Sequence, residues 1–174
     1  MSLLASGGVG AVPIARLCDA LGVTKGSFYH HFRGVEDFKT QLLAHWSSVR
    51  EQQAVAAADA VIDPFERLDM LREAAIGLHH EAEVAIRAWS RTDSEAWRVR
   101  EAVDAARERV VADAYREVGV QSEVADLLGR LAVAVLVGVQ HRRDSINRDE
   151  LRDLYRSLQR MAESALVRPP ATSS

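Results

Sequence analysis

The chain of 174 residues has a single cysteine, Cys18, which excludes an intramolecular disulfide framework and fits a reducing cytoplasm. It also lacks any excess of positive charge: 22 basic residues stand against 25 acidic ones, a formal charge of −3. A protein that coats nucleic acid without selectivity is basic, so any contact with DNA must be confined to one patch. The longest apolar run, Leu131 to Val139, is about half of what a bilayer span needs, so no membrane partner is expected. No basic segment followed by an apolar run and a cleavage site marks a secretory leader, and the expected location is the cytoplasm. Lysine is nearly absent as well, with only Lys25 and Lys39, a bias towards arginine typical of a GC-rich bacterial genome.

Chemical signatures are missing too. There is no Gly-rich phosphate loop, nucleophile elbow, pair of carboxylates in a cleft motif or cluster with metal-ligand spacing. No catalytic residue, cofactor or metal is therefore expected. No alternating apolar pattern bounded by hairpin turns occurs, so strands are not expected either.

Helical periodicity fills the chain instead, and the hydrophobic fraction of 48% is too high for disorder. The fold class is all-α. Ile14, Leu17, Cys18 and Leu21 recur at three and four residues after Pro13, and Gly22 stops that helix. On this stripe Cys18 reads as a core thiol. Thr24 is a natural N-cap for a short helix through Phe32, which Arg33 and Gly34 break. A longer helix follows, with Phe38, Leu42, Trp46 and Val49 on one side. Asp63-Pro64 opens a helix carrying Phe65, Leu68, Leu71 and Ala75. Val84 to Trp89 reads as another, ending near Thr92 to Ser94. Trp97 to Val118 forms a long one through Val103, Ala106, Val110 and Ala114, stopped by Gly119. Ser122 is expected to cap a helix to about Gln140. The last, from Arg148 to Leu166, carries Leu151, Leu154, Tyr155, Leu158, Ala162 and Ala165.

The stretch from Val12 to Phe38 is the informative one. Two helices joined by a tight glycine-containing turn form a helix-turn-helix unit, whose second helix can enter a DNA major groove. Projected at about 100° per residue, Phe28 and Phe32 fall on one side of that helix and Gly26, Tyr29 and His30 on the other. The phenylalanines anchor it to its own core and leave the opposite face free. Thr24 can offer a hydroxyl and a backbone N–H to phosphate, and Lys25 places a cation beside it. Tyr29 ends in a hydroxyl that can reach phosphate or a base edge, and His30 can do either. Gly26 costs about 1 kcal/mol against alanine in a helix, which close approach to DNA or to a neighbouring helix would justify. The adjacent His30 and His31 diverge on a helix, which argues against a shared metal.

The run Ile14-Ala15, Gly22-Val23-Thr24, Gly26, Tyr29 and Phe32 resembles the DNA-binding module of TetR-type transcriptional regulators. The pattern spans about 30 residues and fixes residue identities. The resemblance implies a homodimer on double-stranded operator DNA, and a C-terminal pocket whose small-molecule effector alters operator affinity. It also implies phosphate contacts from Thr24 and Tyr29 and base contacts from Lys25, Gly26 and His30. Where the family carries a phosphate-touching lysine at the start of its fourth helix this chain has Val35, with Arg33 and Lys39 nearby as substitutes. Only Ser2 to Ser6 precedes Gly7-Gly8, which leaves no room for the family's full first helix. Ile14, Phe28 and Phe32 are then expected to lose apolar cover, and the module to bind weakly.

The expected organisation is a DNA-binding module over 1–46, a helical ligand-binding and dimerisation domain over 47–168, and a disordered tail over 169–174. His79, Trp89 and Trp97 are candidates for the ligand pocket, with core packing as the alternative for the tryptophans. His79 and Glu83, four residues apart, read as a solvated helix face before they read as a metal pair. The run from Leu131 to Val139 is apolar on every side, so a second protomer is its natural cover. Leu131, Val135 and Val139, with Leu151, Leu154 and Leu158, are the expected interface residues. The function so read is a ligand-responsive regulator, in the family's common mode a repressor, on a palindromic operator. The alternative is a DNA-binding-deficient helical dimer that binds only a small molecule or a protein.

Overall fold

The computed structural model describes residues 14–59, 63–142 and 146–167, with side chains omitted at 20, 50–59 and 164–167. The architecture is all-α. Among the described residues there are eight helices: α1 (Ile14–Leu21), α2 (Lys25–His31), α3 (Val35–Asp59), α4 (Pro64–Ile76), α5 (His80–Trp89), α6 (Ser94–Glu117), α7 (Ser122–Arg142) and α8 (Arg148–Val167). The expected tail at 169–174, Pro13 and the segment before it lie outside the described residues.

Helix ends follow local chemistry. Gly22 takes φ +67° after α1 and Gly119 takes φ +91° after α6, a left-handed conformation that a Cβ would disfavour. Asp63 caps α4, its Oδ1 accepting from the amides of Phe65 at 2.8 Å and Glu66 at 3.3 Å, with Pro64 in the first turn. Asp93 serves α6 likewise, accepting from the amides of Glu95 and Ala96, each at 3.0 Å. This cap starts α6 three residues before the expected Trp97. Ser122 lies inside α7 as its first residue, and the carbonyl of Gln121 accepts from the Ala125 amide.

The described residues fall into two compact units. One runs to Glu51 and includes His79–Val103; the other is Gln52–Leu78 with the chain from Asp104 onward. The contiguous division expected near residues 46 and 47 is redrawn accordingly. Leu43 and Trp46 of α3 pack with Ile86, Trp89, Ala96 and Val103, which ties the 79–103 segment to the N-terminal part of the chain.

In the second unit, Leu68 of α4 clusters with Ala112, Ala114 and Tyr115 of α6, Ala125 and Leu128 of α7, and Ala162 of α8. A further cluster joins Ile76, Ala132, Leu136, Val139, Leu151 and Tyr155. The run from Leu131 to Val139 is not buried all round. Ala132, Leu136 and Val139 face this core and Val133 is buried, while Leu131, Ala134 and Gly138 are exposed.

The crossing of α6 and α7 depends on Gly129. A Cβ there would lie 2.3 Å from the Glu108 carbonyl oxygen and 3.3 Å from the Ala112 Cβ. Alanine gains about 1 kcal/mol of helix propensity, but overpacking against backbone costs about 1–3 kcal/mol. Gly129→Ala is therefore expected to lower the urea midpoint without changing the slope, despite the better helix former. An unchanged or raised midpoint would show that this helix pair has room to separate.

A candidate DNA-binding face on the second helix

Helix α2 has only seven residues, too few to persist alone in water, so its position must come from its ends and its packing. The cap is Thr24, whose Oγ1 accepts from the Ser27 amide at 3.1 Å. The anchor is Phe28, 1% exposed and clustered with Leu17 and Cys18 of α1. Its ring centroid lies 5.1 Å from that of Phe32 and 5.8 Å from that of Phe38. These spacings are favourable for aromatic pairs. Phe32 is half-buried, as is Ile14, and the expected loss of cover does not reach Phe28.

Every other residue of α2 is exposed. Thr24, Lys25, Gly26, Tyr29 and His30 all present themselves to solvent, Tyr29 with 54% of its surface accessible. Ser27 and His31 share this exposure. Ser27 was legible from the helical projection, which sets it beside His30, but its small side chain gave no chemical signal. His30 and His31 hold their rings edge to face at 5.1 Å.

Gly26 gives the most pointed observation. Among the described residues, the only neighbour within 4 Å of a Cβ built there is Thr24 Oγ1 at 3.8 Å, an ordinary contact. No neighbouring helix needs the glycine, so that half of its expected justification is removed.

The two substitutes for the absent lysine at Val35 have different fates. Lys39 is buried, its Nζ 3.0 Å from Glu36 Oε1 and 3.6 Å from Asp93 Oδ2, so it has no free ammonium to offer. Arg33 is exposed at the end of α2, and its amide donates to Asp37 Oδ2 at 2.8 Å. That hydrogen bond, seconded by Gln41 and the Arg33 charge, holds the Asp37 carboxyl below the usual range.

Residues 1–44 match the model of a family described as bacterial regulatory proteins, tetR family. The N-terminal segment is thus similar to the tetR-family module. Over 90 residues the chain is 32% identical to the HTH-type transcriptional repressor KstR2 of Mycobacterium tuberculosis, in each of two strains. The matched stretch is 49% of this chain and 44% of the relative, so the chain spans less than half the length of the curated relatives it matches. The matched segment includes α1, α2 and the start of α3.

Within the same unit, α3 is held by two polar links. Besides the pairing of Lys39 with Asp93, Trp46 Nε1 donates to Glu83 Oε1 at 3.0 Å, and Glu83 is 1% exposed. This corrects the expectation that His79 and Glu83 share a solvated face: Glu83 is drawn into the core by the indole of α3, whereas His79 remains exposed before α5. Nor do the three candidates for a ligand pocket converge. Trp89 is buried beside Leu43 and Trp46, Trp97 is half-exposed, and His79 lies in solvent. Among the described residues no group of three His, Cys, Asp or Glu side chains could hold a metal, and no helix is long and apolar enough to cross a membrane.

Partial burial works against the Asp93 carboxylate. The amides of Ala96 and Glu95, the Trp89 indole and the Lys39 ammonium outweigh it and hold the carboxyl below its ordinary range. A carboxyl depressed on folding contributes stability above the unfolded value near 3.9, and that contribution fades as pH falls through the lower folded value. Asp93→Asn is thus expected to lower stability at neutral pH and to flatten the loss of stability below about pH 4. Urea unfolding across an acid series reads this out; a variant curve parallel to the parent's would contradict it.

Proposed function

We propose that this chain is a ligand-responsive transcriptional repressor that binds a palindromic operator as a homodimer. The observation that carries the reading is the bare face of α2: one phenylalanine side is buried, and Gly26 is left with space that no described residue uses. Lys25 and Arg33 supply cations for phosphate, with Thr24 and Tyr29 beside them as hydroxyl donors. Gly26, Ser27 and His30 meet base edges in the major groove. The small residue at 26 lets the helix backbone sit close to the bases.

A second copy is the partner for the exposed apolar stripe of α7. Val124, Leu127, Leu131, Ala134 and Gly138 recur at alternating spacings of three and four, the repeat of a helix-packing seam. On α8, Leu154 and Met161 are exposed as well. These residues replace part of the expected interface. Val139 and Leu151 lie in the unit's own core and have almost no surface to give, Val135 and Leu158 are half-buried, and Leu131 and Leu154 remain available. An effector that binds one arrangement of the dimer better than another shifts operator affinity by that difference.

Selection of the full chain on a library of randomised duplexes tests this directly. The expected product is a two-fold symmetric sequence with half-sites about one DNA turn apart or more, bound with a steep salt dependence. Enrichment of no sequence, or of an asymmetric one, would contradict the reading. On the selected duplex, Gly26→Ala is expected to bind at least about tenfold more weakly, while the folded protein becomes more stable by up to about 1 kcal/mol. Anisotropy and thermal unfolding on the same preparation separate the two effects. Unchanged affinity would remove Gly26 from the contact face.

A further inference from the structure

The second unit holds a cavity of about 60 Å³ among α4, α6, α7 and α8. Leu68, Leu71, Val111 and Leu158 give it aliphatic walls. Arg72, Gln159 and Tyr115 also line it and form one polar cluster. Arg72 Nη1 donates to Gln159 Oε1 at 2.7 Å, and Gln159 Nε2 donates to Glu163 Oε1 at 3.1 Å.

The charges around this cluster decide what it accepts. Arg72 Nη2 lies 2.9 Å from Asp69 Oδ1, and its Nε lies 3.7 Å from Glu73 Oε1. Two carboxylates therefore pair with this guanidinium, one of them shared with Arg152, whose Nη2 lies 3.5 Å from Glu73 Oε2. An anionic ligand would have to compete with carboxylates already paired to Arg72. Hydrogen-bond donors are nevertheless in supply. The Nε of Arg72 is buried without a hydrogen-bond partner. The Tyr115 hydroxyl makes no hydrogen bond among the described residues. Burial, reinforced by Glu163, raises the Tyr115 phenol above its ordinary value, so it remains a protonated donor at neutral pH. The other phenol, Tyr155, is already engaged, donating to the Ala132 carbonyl at 3.2 Å.

We propose that this cavity binds an uncharged, largely apolar molecule with one hydrogen-bond-accepting oxygen (a ketone, ester or lactone), the oxygen received by Tyr115 and Arg72. Its role as the effector site rests on the regulator reading above; the binding itself does not. Sites for small molecules commonly hold about 300–1,000 Å³, so the walls must part to admit such a ligand. A ligand that fits only the wider arrangement has the differential affinity that a population shift requires. The coupling would begin with α4, which supplies Leu68, Leu71 and Arg72 to the wall.

The test is a fluorescence titration of the full chain with prodan, a neutral naphthyl ketone whose emission reports polarity and hydrogen bonding. Saturable binding of one prodan per chain with blue-shifted emission is expected. Tyr115→Phe, which keeps the ring, should weaken it about three- to tenfold, the range for one lost hydrogen bond. Ala75 of α4 also lines the cavity, and Ala75→Leu, which fills it, should abolish binding with the helical circular dichroism retained. If that variant unfolds, Tyr115→Phe alone decides. Naphthoate, the anionic counterpart, should fail to displace prodan at matched concentration.

Absence of saturable binding, equal binding by Tyr115→Phe, or displacement by naphthoate would each overturn the proposal. Should prodan bind as expected yet leave affinity for the selected duplex unchanged, the cavity assignment stands and the effector reading falls.

Discussion

The burial of Phe28 is the constraint on which the rest depends. A seven-residue helix loses more chain entropy than its few internal hydrogen bonds return, so α2 exists because one side chain is fixed against α1 and the start of α3. Because the anchor is one-sided, the opposite face is defined by default. The Thr24 cap fixes where the helix begins, and the extended backbone at Phe32 fixes where it ends. Local charge at Lys25 and Arg33 would then suffice for the proposed DNA contact in a chain of net charge −3.

The module rests on a support with little freedom. Lys39 is buried against the exposed Glu36 and the part-buried Asp93, and Trp46 and Glu83 are both buried, so removing Asp93 or Trp46 would leave a desolvated charge behind. Their geometry aligns α3 with α5 and the start of α6. The same links explain why Lys39 does not substitute for the lysine missing at Val35: its charge already neutralises carboxylates of its own unit. The proposed ligand-driven opening of the second unit has a separate physical basis. Its cavity is too small for most ligands as it stands, and its polar cluster has donors without acceptors.

Much of this fold was legible in the sequence because helices announce themselves locally. The Ile14 to Leu21 stripe, the Asp63-Pro64 start and the stops at Gly22 and Gly119 need no knowledge of distant residues. The exposed face of α2 was legible for the same reason, since the spacing of Phe28 and Phe32 determines what lies opposite. Long-range choices were not legible. Periodicity marks Val139 and Leu151 as apolar but cannot say that their own chain buries them while Leu127 and Leu131 stay outside. An all-apolar run such as 131–139 hides which of its sides lacks a neighbour. Glu83 looked like a surface carboxylate because its partner, Trp46, is 37 residues away. The cavity, assembled from four helices, leaves no local mark, which is why Trp89 and Trp97 drew attention and Arg72 and Tyr115 did not.

The central claim is that the side of α2 opposite Phe28 lies against the bases of a duplex. Photocrosslinking tests it most directly, with a benzophenone side chain placed at position 30 and, as a control, at the exposed position 126 of α7. The account predicts ultraviolet-dependent attachment to bases of the selected duplex from position 30 and none from position 126. Equal yields from both positions, or attachment from 126 alone, would contradict it.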